Sequence, residues 1–338
     1  MYKFTQMATE NSADKQLVLV TGALGFIGSC LALDLLRSGK YRVAICDDLS
    51  ADRKLPNIEG AIFEHVIERS QLISVLEIDG LPEIDLILHI GARTDTTEFD
   101  KTIFDELNLN YSKAIWKICV DRKIPLVYAS SASTYGAGEL GYKDDHAIIA
   151  TLKPLNPYGD SKNDFDKWVL QQEMTPPHWY GLKFFNVYGP NELHKSRMAS
   201  VIFHAFNQLN ETGKVKLFRS HRNDFEDGKQ LRDFIYVKDV IQVIEWLINR
   251  YPISGIYNLG TGKARTFYDL ATATAAAMEI PLHVEWIDIP SDIRDKYQYF
   301  TEADMHKLRA AGYNHTFYTL EDGISDYTRN YLLVHKNY

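Results

Sequence analysis

The sequence predicts an α/β fold: a doubly wound parallel sheet with a smaller C-terminal substrate-binding lobe. Three observations predict it. Strand and helix signals alternate through the first half, the first strand runs into a glycine loop that opens a helix, and after about residue 180 the alternation gives way to short strands around a polar loop. The 338 residues, 45% hydrophobic and 24% charged, suffice for a sizeable core in one large or two unequal domains.

In chain order, LVLV (17–20) is a short apolar strand, and FIGSCLALDLLRSG is a helix closing on Gly39. YRVAIC (41–46) and IDLILHI (84–90) read as the second and third strands. The stretch KTIFDELNLNYSKAIWKICVDRK carries apolar residues at spacings of three and four, the pattern of one helix, and PLVYASS (125–131) is strand again. This alternation argues for βαβ units. Further on, GLKFFNVYG reads as strand and MASVIFHAFNQLN as helix, while VKLF and LRDFIYV are strands around the loop RSHRNDFEDGKQ. The tail, from TEADMHKLRAAG to ISDYTRNYLLV, reads as helical. The expected organisation is a flexible arm over 1–15, a dinucleotide-binding domain over 16–180 to which segments near 234–262 return, and a substrate-binding lobe over most of 181–338.

A net charge of −8 gives no sign of a nucleic acid or an anionic membrane as partner. Cys30, Cys46 and Cys119 are scattered, lack CxxC spacing and sit in apolar context, so they read as buried free thiols of a reducing compartment. The stretch MYKFTQMATENSADKQ lacks the apolar core of a signal peptide, and no apolar run approaches the ~18 residues of a membrane span. A cytoplasmic protein is expected, with no metal site.

TGALGFIG places Gly22, Gly25 and Gly28 between a strand and a helix. Glycines let the backbone turn tightly and approach a pyrophosphate, whose charge the helix N-terminus favours. Asp47 and Asp48 end the second strand, 19 residues beyond Gly28, where a ribose-binding acid of a Rossmann-type unit belongs. Asp47 suits the 2′-hydroxyl of NAD. Arg53 and Lys54 suit the 2′-phosphate of NADP.

NPYGDSK carries Tyr158 and Lys162, which a helix would set on one face. An ammonium beside a phenol favours the phenolate, making Tyr158 a usable acid or base near neutral pH. Upstream, YASSASTYG ends a strand, and Ser131 or Ser133 could hydrogen-bond the reacting oxygen.

With these residues the chain resembles the extended short-chain dehydrogenases/reductases, the superfamily of nucleotide-sugar epimerases and dehydratases, from about Leu17 to the C-terminal helix. GARTDTTEFD, YASSASTYG, PLNPYGDSK, FFNVYGPNELHKSRMAS, LRDFIYVKD and YQYFTEADMHKLRAAGY narrow the resemblance to the ADP-L-glycero-D-manno-heptose 6-epimerases. The resemblance implies an isomerase that acts on an ADP-heptose at C6″ by transient oxidation to a ketone, with bound NADP or NAD. It also implies a homo-oligomer, with the product heptose entering the lipopolysaccharide core or related glycans of a Gram-negative bacterium.

Catalytic roles are implied for Ser131, Tyr158, Lys162 and, in HKSRMAS, Lys195. Such an epimerase must return hydrogen to the opposite face of the sugar carbon, and Lys195 would be the second acid/base. A lysine suits that task if burial or a cation such as Arg197 lowers its pKa. The alternative is that Lys195 only binds diphosphate. Cofactor contacts are implied for Gly22, Gly25, Phe26, Ile27, Gly28, Asp47, Asp48, Lys54 and Arg69, and for Gly91, Ala92 and Arg93 after the third strand. Asn108, Tyr158 and Lys162 complete that set. Substrate contacts are implied for Asn186, Arg197, Phe218, Ser220 and Tyr297. His204 reaches the nucleotide or packs in the core, and Arg232 holds phosphate or pairs with Asp233. The chain departs from the family in the extra Leu24 of its glycine loop, in Arg197 where a small residue is usual, and in the long loop 219–230.

Other readings are weaker. A dehydratase would carry an acid after the strand-end serine, which YASSASTYG lacks, and a 4-epimerase generally lacks a second catalytic lysine. A non-catalytic nucleotide-binding scaffold has no need of Ser131, Tyr158 and Lys162.

Overall fold

A computed structural model describes residues 14–78, 80–81, 84–96, 98–294 and 297–338; the arm expected over 1–15 lies almost wholly outside the described residues. The strands in chain order are β1 (Leu17–Thr21), β2 (Arg42–Asp47), β3 (His65–Glu68), β4 (Leu86–His89), β5 (Leu126–Ser131), β6 (Trp179–Phe184), β7 (Asn186–Tyr188), β8 (Val215–Phe218), β9 (Leu231–Tyr236), β10 (Gly255–Leu259), β11 (Ala264–Thr266) and β12 (Val284–Ile287). Seven form one parallel sheet in the order β10-β6-β5-β4-β1-β2-β3. Strands such as LVLVT are buried along their whole length, as a parallel sheet covered on both faces requires.

The order reverses between β1 and β4, so the carboxyl ends of those strands open the crevice where ligands of such sheets bind. The glycine loop follows β1 and Gly91–Arg93 follow β4, so both line it. The strand before Gly91 is the fourth, not the third as the sequence reading had it, because HVIE forms a short strand between YRVAIC and IDLILHI.

The expected single helix over 101–123 is divided. Lys101–Phe104 and Tyr111–Asp121 are α-helical, and Asp105–Asn110 between them is a π-helix, which buries Asn108. Beyond residue 180, VKLF (β8) pairs with β12, whereas LRDFIY (β9) pairs with β7 and β11 in a separate three-stranded sheet. Of the returning segments, β10 joins the main sheet beside β6 and the helix Val237–Arg250 packs on Phe26–Ser38. The tail folds back on that same helix. Tyr338 donates its hydroxyl to Asp34 at 2.9 Å, and its main-chain N–H donates to the Asn191 side chain at 2.7 Å. Among the described residues no helix is long and apolar enough to cross a membrane, and Cys30, Cys46 and Cys119 are buried free thiols.

Candidate active site

The glycine loop is closed by contacts that leave no room for side chains. Gly22 sits at φ +68°, and a Cβ on it would lie 2.5 Å from Gly91 Cα; a Cβ on Gly28 would run into Gly22 O. Gly25 caps the helix Phe26–Ser38 with no side-chain hydrogen bond, so no side chain of the cap residue covers the first amides. Those amides, and the positive end of the helix dipole at Phe26 and Ile27, fit a pyrophosphate. Asp47 accepts Leu24 N–H at 2.8 Å, Asp48 N–H at 2.8 Å and the Lys54 ammonium at 3.1 Å. Asp48 accepts from Ser50 and lies 3.7 Å from the Arg69 guanidinium. Beside them a cavity of about 330 Å³ is lined by Ser50, Ala51, Asp52, Arg53, Lys54 and His194. Cradle and acids therefore suit a dinucleotide.

A polar layer lies beneath. Gly91 N–H donates to Thr21 Oγ1 at 3.2 Å, and His89 bridges Thr21 (2.7 Å) and Ser112 (3.0 Å). Burial pushes His89 down to about 3, so it stays neutral. Past Ala92, Asn108 accepts Arg93 N–H at 2.8 Å and donates to Arg93 O and Ser161 Oγ, both at 3.0 Å. Ser161 then donates to Tyr158 O at 2.8 Å. The π-helix thus ties the loop after β4 to the helix that bears Tyr158.

That helix, Pro157–Val169, starts with Pro157 at its first position and Asn156 accepting Gly159 N–H at 2.8 Å. Tyr158 and Lys162 are one turn apart on it, and Ser131 closes β5 opposite. Ser133 donates to Ser131 from both N–H (3.1 Å) and Oγ (2.9 Å), so of the two serines Ser131 is the one held at the strand end. Lys162 is buried, donates to Ala129 O at 2.7 Å, and is pushed by burial down to about 8, against the pull of the Asp166 charge. The sequence reading expects Lys162 to lower the Tyr158 phenol. Instead burial raises it, and the hydrogen bond with Ser131 offsets only part of that rise. The physical reason is desolvation of the buried phenol.

Behind this trio lies a network that the sequence reading missed. Asp166 accepts Tyr128 OH at 3.0 Å, Ser130 Oγ at 2.7 Å and Lys183 Nζ at 2.7 Å, with both charged side chains fully buried. The clue was a charged residue four places beyond Lys162 and a lysine inside the apolar strand GLKFF.

Lys195 lies on the short helical turn Leu193–Met198, where Ser196 takes φ +51°. Its ammonium sits 5.3 Å over the Phe26 ring, at the head of the glycine-loop helix. Burial lowers its pKa and the Glu192 charge works the other way. The lowering cation expected at Arg197 is not what acts there: Arg197 points to solvent, 67% exposed, 3.6 Å from Asp95, whose other oxygen is 3.6 Å from Arg93. Neighbouring His194 meets Asn57 at 3.0 Å, and Asn57 donates to Leu24 O at 2.8 Å. The Lys195 segment therefore rests on the cofactor side of the cleft.

In the smaller lobe Asn186 opens β7 with its side chain exposed. Arg232 is buried between the rings of Phe267 (5.6 Å) and Tyr297 (5.5 Å), and donates to Leu231 O at 2.8 Å and to Gln298 O. The alternative ion pair with Asp233 is not formed. Alternate strand residues face opposite sides, and Asp233 is taken by Thr261, Gly262 and Ala303. Phe218 meets Tyr297 edge-on at 5.8 Å. Ser220 donates to Arg222 O at 2.8 Å, and its N–H reaches Asp227 at 2.8 Å. His204 is half-buried at 3.4 Å from Arg197 O, so it is not a core histidine. Among the described residues no cluster of three or more His, Cys, Asp or Glu is placed to hold a metal ion.

A dinucleotide cradle beside a Ser–Tyr–Lys set can carry hydride and proton transfer at a carbinol carbon. Known proteins agree with that chemistry. A sequence model of the NAD dependent epimerase/dehydratase family matches residues 18–260. The ADP-L-glycero-D-manno-heptose-6-epimerase of Fusobacterium nucleatum is 44% identical over 331 residues, 95% of this chain and 100% of that protein. The crystal structure of the Helicobacter pylori enzyme of the same name superposes with TM-score 0.78 at 27% identity, covering 95% of this chain and 98% of that one. Thermus thermophilus UDP-glucose 4-epimerase, solved with NAD, gives TM-score 0.71 at 25% identity, covering 92% of this chain and 97% of that one. The chain is an isomerase that uses a nicotinamide cofactor, and it belongs to the NAD dependent epimerase/dehydratase family, alongside the ADP-L-glycero-D-manno-heptose-6-epimerases.

Proposed function

We propose that this chain interconverts ADP-D-glycero-β-D-manno-heptose and ADP-L-glycero-β-D-manno-heptose by epimerisation at C6″. The observation that carries the reading is the pairing of an intact Ser131–Tyr158–Lys162 set with Lys195 in HKSRMAS, in a chain 44% identical to a heptose epimerase over that protein's whole length. Bound nicotinamide supplies a hydride acceptor and donor that is restored at the end of each cycle. Tyr158 takes the C6″ hydroxyl proton of one epimer, while Ser131 holds the oxygen of the resulting ketone. The ketone then presents its other face, and Lys195 gives a proton of its own to the alkoxide of the second epimer, after which exchange with solvent returns Tyr158 and Lys195 to their starting protonation states. In the reverse direction the two residues exchange roles. Asn186 and Ser220 are assigned to the substrate, Arg197 to its sugar or an anion, His204 to the nucleotide, Phe218 and Arg232 to the nucleotide diphosphate, and Tyr297 to closing over the substrate.

NADP is the cofactor of choice in this reading. Asp47 is already occupied by the Leu24 amide and Lys54, and Arg53 and Lys54 line the adjoining cavity, which favours an anion over a hydroxyl. The mass of the dinucleotide released on denaturation decides it; NAD alone would refute the choice. A homo-oligomer is proposed on family grounds, to be read by light scattering. The three reduced thiols support a cytoplasmic location. The central test is incubation with ADP-D-glycero-β-D-manno-heptose and no added cofactor, then resolution of the C6″ epimers. An equilibrium mixture is expected. No conversion, even with NADP and NAD supplied, would overturn the reading.

A further inference from the structure

We infer that Glu192 is the positioning residue for Lys195: its carboxylate closes the loop that carries this lysine and adds a negative charge to the same pocket. The inference rests on the proposed role of Lys195 as second acid/base.

The loop 193–199 begins and ends on Glu192. At its start Lys195 N–H donates to Glu192 O at 3.0 Å. At its end Ser200 donates to the carboxylate from both N–H and Oγ, each at 2.6 Å. Ser200 is itself fixed, because its Oγ caps the helix Val201–Thr212 by accepting Phe203 N–H at 3.2 Å. Other contacts lie along the loop, where His194 meets Asn57 at 3.0 Å, Thr96 Oγ1 lies 3.9 Å from Met198 Sδ and Arg197 lies 3.6 Å from Asp95, while Leu193 is exposed and Ser196 occupies the left-handed region. Its root is pinned next door, where Asn191 donates to Ser29 Oγ at 2.9 Å and Asn57 O at 3.1 Å. Glu192 is therefore one of two ties that set the distance from Lys195 to the glycine-loop helix, beside the His194–Asn57–Leu24 contact.

The charge matters separately from the clamp. Glu192 is fully buried, and burying a carboxylate is costly unless donors or a cation compensate. A neutral glutamine could accept Ser200 Oγ as well. The titratable groups facing Glu192 are Lys195 on its own loop, Cys30 on the glycine-loop helix and Tyr327 on the C-terminal helix. Burial pushes the last two well up, so both stay neutral. Lys195 faces Glu192 and His194, and burial holds His194 near 4 and uncharged. Burial raises the Glu192 carboxyl, the Ser200 bonds and the Lys195 charge work against that rise, and in its charged form Glu192 works against the desolvation that pulls Lys195 down.

The test compares Glu192→Gln, Ser200→Ala and Lys195→Met by kcat, KM and the pH profile of epimerisation. For Glu192→Gln we expect kcat to fall about 10- to 100-fold with KM within about 3-fold. The profile limb set by Lys195 should move to lower pH, because losing the carboxylate disfavours the ammonium. Wild-type kcat, or a lower kcat with an unmoved profile, would overturn the inference; the second result makes Glu192 a structural clamp alone. If Glu192→Gln does not fold, Ser200→Ala tests the clamp, with reduced kcat expected and wild-type kcat overturning it. Normal turnover by Lys195→Met would instead sink the two-base reading itself, whereas an inactive Lys195→Met beside a normal Glu192→Gln removes only Glu192.

Discussion

The two sides of the cleft are built differently. Tyr158 stands on a regular helix that starts on an asparagine cap, and its partners Lys162 and Ser131 are anchored to β5 by main-chain and hydroxyl contacts. Behind them Asp166, Lys183, Tyr128 and Ser130 form a polar knot closed to solvent. Lys195 stands on an irregular turn whose outer residues are exposed and whose ends are tied to one residue, Glu192, by its main-chain carbonyl and its carboxylate. The proposed reaction serves one epimer from a fixed group and the other epimer from a second group, and it has use for this asymmetry. Local regularity holds the first group, and a few polar tethers hold the second.

The largest effects should come from removing either group. Tyr158→Phe should lower epimerisation by about 10³-fold or more while leaving dinucleotide content unchanged, since positioned acid/base groups contribute roughly 10²–10⁴. Lys195→Met should lose about 10²- to 10³-fold with the cofactor likewise retained. Turnover within a factor of about three of wild type in either variant would end the comparison, because that residue would then carry no proton. A loss of bound dinucleotide in Lys195→Met would instead recast it as a diphosphate ligand, which its place over Phe26 also allows.

The buried knot should fail by stability rather than chemistry. Asp166→Asn leaves the Lys183 ammonium without its counter-charge in a dry site, and breaking such a pair costs about 3–5 kcal/mol. It also removes the charge that supports Lys162. Lys162 stands near 8, below the ordinary 10.5 of a lysine. Between those values the unfolded chain binds more protons than the folded one, so this group adds stability as pH rises from about 8 to 10.5. Without Asp166 the folded value falls further, and the rise should begin at lower pH. Thermal unfolding from pH 7 to 10 reads both effects. An Asp166→Asn protein as stable as the parent would mean that the knot is not what stiffens the Tyr158 side.

The same asymmetry decided what the sequence revealed. The glycine loop, Asp47, and the pair Tyr158 and Lys162 lie at short fixed spacings on regular elements, so local patterning found them. Lys195 emerged only through family resemblance, because nothing in the spacing of HKSRMAS says what it faces. HVIE escaped notice because four residues with only part of one face buried leave too little pattern. The π-helix escaped because one widened turn barely disturbs a helical period. The pinned root of the Lys195 loop was out of reach, since Asn191 and Ser29 are 162 residues apart, and so was the knot behind Tyr158, whose Lys183 and Asp166 are 17 apart on different elements.

The smallest expected effect tests the exposed rim of the Lys195 side. Arg197 meets Asp95 at 3.6 Å with its guanidinium largely in water. An exposed pair of that kind contributes about 0–1 kcal/mol and weakens as salt rises. Arg197→Ala should therefore change kcat by less than about 3-fold, and the remaining difference should vanish as salt is raised to about 0.5 M. If Arg197 also touches the nucleotide sugar, the change falls on KM and persists in salt, because a contact closed over by ligand is screened far less. An increase in KM of about 10-fold or more would make Arg197 a substrate ligand, and the irregular turn would then carry recognition as well as chemistry. An unchanged KM would leave the turn to Lys195 and its tethers.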